Sequence, residues 1–333
     1  MTAADSIRSR LDELALEITS QHELSDRIGS LGRQRCLEDA RFHLQYLAVA
    51  LEANSAAMFL DYIGWTKVVL AKRNVGERDL ADNLAVTARV LHDVPEATGV
   101  LHMAIEELPS MSDDVASMLD PRAPLWAVAS DYLAALLGGN RRAALQLVTR
   151  ALDDGSTLRD VYRHVFEPVQ QEIGRLWQLN QVSVAQEHFS TAASQHIMTQ
   201  LYARVFAGER TGRRAVSMCV GGELHEIGLR IVTDLLELEG WQTWYLGASV
   251  PPAAAVQLCV ERQADALLVS ATLPPHIASV AEVVRLFKSR RELSGARVIV
   301  GGRAFRTAPD LWNRIGADAY ASSADECLEL LRA

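Results

Sequence analysis

Residues 215–228 read Ala-Val-Ser-Met-Cys-Val-Gly-Gly-Glu-Leu-His-Glu-Ile-Gly, and this stretch decides the fold of the C-terminal part of the chain. It begins with a short apolar run, passes through paired glycines and a polar loop, and enters an amphipathic segment at Ile227. A short apolar run followed by a helical pattern indicates a buried parallel strand and the helix that crosses back over the sheet.

The same alternation recurs from here to the end of the chain. The predicted strands are Ala215–Val220, Gln242–Leu246, Ala266–Val269, Arg297–Val300 and Ala317–Ala321. The predicted helices are Ile227–Glu239, Pro252–Arg262, Ile277–Leu293, Pro309–Ile315 and Ala324–Leu331. Residues 213–333 are therefore expected to form a Rossmann-like (flavodoxin-like), five-stranded parallel sheet, doubly wound by helices, whose ligands bind beyond the carboxyl ends of the strands.

Three short motifs fall just after predicted strands. Glu223-Leu224-His225-Glu226-Ile227-Gly228 is followed after 41 residues by Ser270-Ala271-Thr272, and after 28 more by Gly301-Gly302. A neutral imidazole is a good transition-metal ligand, and Glu223 is placed to accept a hydrogen bond from its other nitrogen. Glycines let a bulky ligand lie close to the backbone. A lone Glu-x-His before a helix is usually a cap with a surface histidine, but three motifs at these separations favour a ligand site.

This pattern resembles the fingerprint of cobalamin-binding domains. The resemblance implies that His225 ligates cobalt from below, that Glu223 orients it, and that Ser270 extends this relay. The family more often has aspartate at the position of Glu223. The remaining residues implied to line the corrinoid site are Leu224, Glu226, Ile227, Gly228, Thr272, Leu273, Gly301 and Gly302.

Residues 121–208 lack strand-like alternation and are expected to form a four-helix bundle. The predicted helices are Pro124–Leu137, Arg141–Leu152, Leu158–Leu179 and Val184–Phe206, with Ser156 or Ser183 as candidate helix caps.

Trp177 is followed after nine residues by Glu187-His188 in this predicted bundle. Such residues are ordinarily core and cap, but the spacing resembles the Trp-x9-Glu-His signature of B12-dependent photoreceptors, in which the bundle shelters the adenosyl group. The implied cofactor is adenosylcobalamin. Light-sensing repressors of that family carry a histidine after the tryptophan, where this chain has Gln178. A second histidine ligand from that position is therefore not expected after photolysis, which leaves His188, His196 or water.

Residues 1–120 are expected to be helical and show no winged-helix pattern, so direct DNA binding is not expected. The predicted helices are Ile7–Ile18, Gly29–Asn54, Ala56–Arg73 and Glu77–Leu91, with more near Ala97–Leu108. His43 with Tyr46, and Tyr62 with Trp65, share helical faces. Aromatic residues at this spacing are usually core, and the rival interpretation is a second flat chromophore.

A helical N-terminal segment joined to these two domains resembles the photocobilins, which bind biliverdin as well as cobalamin. That resemblance implies cations for the bilin propionates and polar groups for its ring nitrogens. Noncovalent binding is the default, with a thioether to Cys36 as the alternative. The candidate cations are Arg41, Lys72 and Arg73, and the candidate polar groups are His43 and Asp61.

Composition narrows the class of protein. A formal net charge of −9 argues against a general nucleic-acid surface, and 49% hydrophobic content over 333 residues is enough for two or three cores. The sequence has neither a membrane-length apolar run nor an N-terminal signal region, so a cytoplasmic protein is expected. Its four cysteines, Cys36, Cys219, Cys259 and Cys327, lack metal-ligand spacing and are expected to be reduced.

These patterns together predict a light-sensing signalling protein rather than an enzyme. Photolysis of the Co–C bond is expected to change domain packing and the assembly of a homo-oligomer, which would act on an unknown protein effector. The alternative is a corrinoid methyl carrier of a methyltransferase system. A mutase would need a substrate barrel that this sequence lacks.

Overall fold

The computed structural model describes residues 2–21, 29–205 and 209–332, and of residues 29–31 the backbone alone. The chain forms two compact units: residues 1–114 with 307–309, and residues 115–306 with 310–333. Within the described ranges, no helix combines the length and the apolar character that a bilayer span requires. The division into three domains predicted from the sequence stays a prediction.

The first unit is helical, as expected. Its helices are α1 (Ala3–Ser9), α2 (Leu11–Gln21), α3 (Gly29–Glu52), α4 (Ala56–Ala71), α5 (Glu77–Val90) and α6 (Pro95–Glu107). The single helix predicted over Ile7–Ile18 is wrong, because Arg10 leaves helical geometry at φ −114° and ψ 16°. The Arg10 guanidinium donates to the carbonyl and hydroxyl oxygens of Ser6, which stabilises the break.

A buried lysine ties the end of this unit together. The Lys67 side chain is 4% exposed and donates to the carbonyl oxygens of Leu108 and Met111 at 3.0 and 2.8 Å. Its charge is paired with Glu77 at 3.0 Å and Asp113 at 3.3 Å. The partners compensate the cost of removing the ammonium from water.

The helical part of the second unit follows the predicted bundle with one interruption. Its helices are α7 (Trp126–Leu137), α8 (Arg141–Asp153), α9 (Leu158–Val161), α10 (Glu167–Gln178), α11 (Val184–Gln200) and α12 (Tyr202–Val205). A π-helical turn, Tyr162–Phe166, separates α9 from α10, so the predicted continuous helix over Leu158–Leu179 is wrong. Pro168 lacks an N–H and would crowd the carbonyl one turn earlier in a regular helix, and the wider turn relieves this.

Two hydroxyls cap the bundle helices. Ser183 accepts from the backbone N–H of Gln186 and caps α11, as predicted. Thr157, rather than Ser156, caps α9 by accepting from the N–H of Asp160. Phe206, the predicted end of the last bundle helix, lies outside the described residues.

The predicted parallel sheet is confirmed. Its strands are β1 (Arg214–Cys219), β2 (Gln242–Tyr245), β3 (Ala266–Ser270), β4 (Arg297–Gly301) and β5 (Ala319–Ala321), all parallel in the order β2-β1-β3-β4-β5. The helices are α13 (Ile227–Leu238), α14 (Pro252–Arg262), α15 (Ile277–Lys288), α16 (Leu311–Arg314) and α17 (Ala324–Arg332). Alternation of strands and helices gives the doubly wound, flavodoxin-like fold.

Candidate functional site

The three motifs meet at the carboxyl edge of the sheet. Ser270 ends β3 and is paired with Cys219 at the end of β1 on one side and with Gly301 at the end of β4 on the other. The Glu223–Gly228 motif begins in the loop after β1 and runs into α13. Because three adjacent parallel strands end together, residues separated by 41 and 28 positions come to one edge.

His225 is held by the buried carboxylate of Glu223. The Glu223 side chain is 0% exposed, whereas that of His225 is 59% exposed. Glu223 Oε1 accepts from the backbone N–H of His225 at 2.9 Å and from its Nδ1 at 2.5 Å. Since an ionised carboxylate can only accept, Nδ1 carries the proton and the Nε2 lone pair is left available to a metal.

The second oxygen of Glu223 is also occupied. Oε2 accepts from the backbone N–H groups of Thr272 at 2.6 Å and Leu273 at 3.3 Å. It also accepts from Nδ1 of His276 at 3.0 Å. Sequence reasoning missed His276, which lies in a 3₁₀ turn after Leu273 and has no spacing that marks it. Ser270, to which the resemblance gave the relay, is not a partner of this carboxylate in the structure.

These contacts shift the pKa values of Glu223 and His225. Burial alone would raise the pKa of Glu223, but the hydrogen bonds from His225, His276 and two backbone groups outweigh it and hold the pKa well below its usual range. The hydrogen bond to Glu223 raises the pKa of His225, burial opposes this, and the negative charges of Glu223 and Glu187 add to the rise. Glu223 is therefore ionised, as an orienting acceptor must be.

The glycines of the motifs have different roles. Gly302 has φ +98°, and a Cβ there would clash with the carbonyl oxygen of Ala271, so backbone packing requires it. A Cβ on Gly301 would lie 3.2 Å from the carbonyl oxygen of Ala321. Nothing lies within 4 Å of a Cβ built on Gly228, where the space is open to a ligand.

Glu226, inside the motif, links the sheet to the bundle. Its carboxylate accepts from the hydroxyl of Tyr245 at 2.8 Å and from the side-chain amide of Gln195, on α11, at 2.5 Å. The motif has two apolar side chains near His225, Leu224 and Ile227. Leu224 is 70% exposed and Ile227 is buried, so only Leu224 faces outward.

The bundle signature lies on α10 and α11. Trp177 is half-buried near the end of α10, and the next residue, Gln178, is buried. Glu187 accepts from the hydroxyl of Thr191 at 3.0 Å and is paired with Nδ1 of His188 at 2.5 Å. Since the charge of Glu187 acts on His225, the two motifs are within electrostatic reach of each other.

The candidate bilin residues of the first unit form a packed aromatic cluster. Tyr46 and Tyr62 are stacked with their ring centroids 3.8 Å apart, and the Tyr62 hydroxyl is 2.8 Å from Nδ1 of His43. His43 and Tyr62 are buried, and Trp65 is half-buried one turn further along α4.

The candidate cations of the first unit make other contacts. Arg41 is paired with Asp12 at 2.8 Å, and Arg73 donates to the carbonyl oxygen of Val69 in its own helix at 3.0 Å. The structure thus brings together His43, Tyr46 and Tyr62, while these two arginines contact neighbours outside the set.

Comparison with known proteins supports a corrinoid site. B12 binding domain families match residues 213–331 and residues 128–202. The chain is 31% identical over 189 residues to the HTH-type transcriptional repressor CarA of Myxococcus xanthus, a match that covers 55% of this chain and 62% of the repressor. It is 32% identical over 114 residues to dimethylamine corrinoid protein 3 of Methanosarcina acetivorans, covering 34% of this chain and 52% of that protein.

The chain therefore spans about half to three fifths of the length of these curated relatives. Among solved structures, the monomethylamine corrinoid protein of Methanosarcina barkeri has the same fold, with a TM-score of 0.55 and 20% identity over 62% of this chain and 98% of that one. Residues 128–202 and 213–331 match B12 binding domain families, and together with the sequence similarity to CarA these matches support placing the chain in a cobalamin-binding family.

Proposed function

We propose that this protein is a light-sensing regulator that holds adenosylcobalamin between the sheet edge and the bundle. In this proposal His225 is the lower cobalt ligand, and Trp177, Glu187 and His188 shelter the adenosyl group. The observation that carries it is the hydrogen bond from Gln195, two helical turns beyond Glu187 on α11, to Glu226 of the sheet motif. The negative charge of Glu187 also contributes, as the smallest cause, to the raised pKa of His225.

The residues present fit a corrinoid. No hydrogen bond to Nε2 of His225 is made by any residue within 2–21, 29–205 and 209–332. Beside it, Leu224 exposes an apolar side chain and Gly228 leaves open space, which suits a broad, flat ligand. His225 would hold the cobalt, and the bundle would exclude water from the opposite face.

When bound, adenosylcobalamin supplies a Co–C bond that light breaks. The chain supplies a domain contact whose strength depends on that group. Polar pairs run along the contact between α13 and the bundle: Gln195 with Glu226, Thr199 with Arg230 at 2.8 Å, and Tyr162 with Asp234 at 2.8 Å.

Polar pairs can exchange partners with water when the contact opens, whereas the apolar side chains of the same contact, among them Ile231 and Leu235, oppose its opening. A ligand shifts this equilibrium only through its different affinity for the two arrangements, and the adenosyl contacts supply that difference. In this proposal photolysis changes the assembly of a homo-oligomer, which then acts on a protein effector and does not itself contact DNA.

The test is absorption and size-exclusion chromatography of the protein with adenosylcobalamin in the dark and after green light. The intact protein should bind the cofactor, change its spectrum with light and shift in elution volume. His225→Ala should lose the spectrum of histidine-ligated cobalt, and Trp177→Ala should weaken adenosylcobalamin binding. His102→Ala, an exposed histidine of the first unit, is the matched control and should behave as the wild type. A bound cofactor whose photolysis leaves the elution volume unchanged would count against signalling.

The proposal extends to biliverdin in the first unit. What supports it is side-chain chemistry: stacked Tyr46 and Tyr62 beside a histidine. Because the Tyr62 hydroxyl already bonds His43, a bilin must lie against the outer face of this cluster or displace that bond. Full-length protein titrated with biliverdin should develop a red-shifted band that weakens in Tyr46→Ala. Without such a band the second chromophore is excluded, and the cobalamin proposal stands unaffected.

A methyl carrier is the second candidate, favoured by the sequence similarity to dimethylamine corrinoid protein 3. A carrier must expose cobalt to partner enzymes, so it has no use for an adenosyl shelter. Equal affinities for methylcobalamin and adenosylcobalamin, with no light-dependent change in assembly, would favour this role. A preference of the wild type for adenosylcobalamin that is lost in Trp177→Ala would favour the photoreceptor role.

A further inference from the structure

Glu223 is shared by two histidines from different loops. His225 bonds to Oε1 and His276 to Oε2, at 2.5 and 3.0 Å from the respective Nδ1 atoms. His276 follows β3 and has a side chain that is largely buried, unlike that of His225. Two imidazoles therefore face one another across a single buried carboxylate.

The acceptor capacity of this carboxylate is fully used. A carboxylate offers about four lone-pair directions. Oε1 takes both hydrogen bonds from His225, and Oε2 takes Thr272 and His276, with the 3.3 Å contact from Leu273 the longest of the set. Removing His276 leaves Oε2 with the Thr272 N–H and the long contact from Leu273, so a buried anion loses a strong donor and its carboxylate can rotate or admit water.

His276 also joins the two loops that form the site. A Cβ built on Gly222, which has φ +81°, would lie 3.3 Å from Nε2 of His276, so its ring packs against the backbone just before Glu223. The backbone donors Thr272 and Leu273 reach the carboxylate from one loop alone. The imidazole reaches the carboxylate and also packs on the loop that carries His225.

We infer that His276 is a positioning residue for His225, which acts through Glu223 to fix the orientation and tautomer of the cobalt ligand. This inference rests on the proposed cobalamin site. Its chemistry differs from the relay that the resemblance implied, because the second donor is an imidazole three positions beyond Leu273 and not the hydroxyl of Ser270.

The test compares His276→Leu with His276→Asn. Leucine fills space without a donor, whereas the amide nitrogen of asparagine lies at the position of Nδ1 and can still donate to Glu223. Groups that orient metal ligands typically change metal affinity by roughly 10- to 100-fold. His276→Leu should therefore weaken adenosylcobalamin binding in the dark by about 10-fold or more, and His276→Asn should recover most of it.

Two further readouts separate positioning from a general structural role. With cob(II)alamin, electron paramagnetic resonance should show superhyperfine coupling to an axial histidine nitrogen in the wild type and in His276→Asn, and lose it in part in His276→Leu. Nitrogen NMR of the protein without cofactor should show His225 as the Nδ1–H tautomer in the wild type and a mixture of tautomers in His276→Leu.

A double-mutant cycle decides the route of action. In a His225→Ala background, His276→Leu should have no further effect on cobalamin affinity, because the residue through which it acts is gone. A persisting effect, or a His276→Leu protein with wild-type affinity and tautomer, overturns the inference. If the wild type itself fails to bind cobalamin, the proposed function fails, and the NMR experiment still reports whether His276 sets the tautomer of His225.

Discussion

Asp234 is buried where α13 meets the bundle, and this makes the stability of the second unit depend on pH. Its side chain is 5% exposed, accepts from the Tyr162 hydroxyl at 2.8 Å and lies 3.9 Å from Nε of Arg230. Burial raises the pKa of Asp234 from 3.8 to about 6, because removing the carboxylate from water outweighs the stabilising effects of Tyr162 and Arg230.

The sign of the effect follows from proton binding. Between pH 3.8 and about 6 the folded state binds more protons at Asp234 than the unfolded state does, so stability falls as the pH rises. The contribution of protonated Asp234 to the free energy of unfolding is fully present below the unfolded pKa and is lost as the pH rises through about 6. The difference between the two pKa values corresponds to about 3 kcal/mol.

Asp234→Asn removes this titration and keeps an acceptor for Tyr162. Relative to wild type, the free energy of unfolding of the variant should increase by about 2 to 3 kcal/mol between about pH 4 and about pH 8. Urea unfolding followed by tryptophan fluorescence measures it, because five of the six tryptophans lie in the second unit. Asp153→Asn, an exposed carboxylate paired with Arg204, is the control and should track the wild type.

A constant difference between Asp234→Asn and wild type across this range would refute the reasoning, whatever its size. It would mean that the carboxylate is solvated in the folded state. A Tyr162→Phe variant gives a second check: loss of the donated hydrogen bond should move the pH-dependent region to higher pH.

Three further outcomes are expected. Gly302→Ala should destabilise the second unit by about 3 kcal/mol, because of its positive φ and the backbone oxygen beside it. Gly228→Ala, in the first turn of α13, should keep or slightly raise the stability of the unit and weaken cobalamin binding. Lys67→Met should lower the free energy of unfolding of the first unit by about 1 to 3 kcal/mol, seen by calorimetry, since it leaves the carbonyl oxygens of Leu108 and Met111 without their donor. Gln195→Glu should place a like charge against Glu226 and increase proteolysis between bundle and sheet, and Glu226→Gln in the same chain should restore protection. Unchanged proteolysis of Gln195→Glu would show that this bond does not hold the contact.

The sheet could be predicted from the sequence because its signals are local. Apolar runs such as Ala215–Val220, each followed by a helical pattern, define strands and crossovers without knowledge of distant contacts. The same pattern placed His225, Ser270 and Gly301 at strand ends, and parallel strands bring their ends to one edge. The predictions of continuous helices were wrong where one residue changes the backbone, at Arg10 and before Pro168.

Side-chain partners were less accessible to sequence reasoning. Glu223 and His225 are two residues apart, so their bond follows from local geometry, whereas His276 reaches Glu223 across 53 positions. The Gln195–Glu226 bond likewise depends on how the bundle packs on α13. Residue types alone do not choose among such partners, because rotamers and packing decide them.

The sequence by itself therefore determined the doubly wound sheet, the helical bundle and the glutamate that holds a candidate cobalt ligand. Only the tertiary structure decided which groups donate hydrogen bonds to that glutamate. It also decided that Gly228 leaves open space while Gly302 is required by the backbone, and that the bundle packs on the helix that follows His225. The physical reason is range: periodicity and capping act within a few residues, whereas burial and hydrogen-bond partners are set by the whole folded chain.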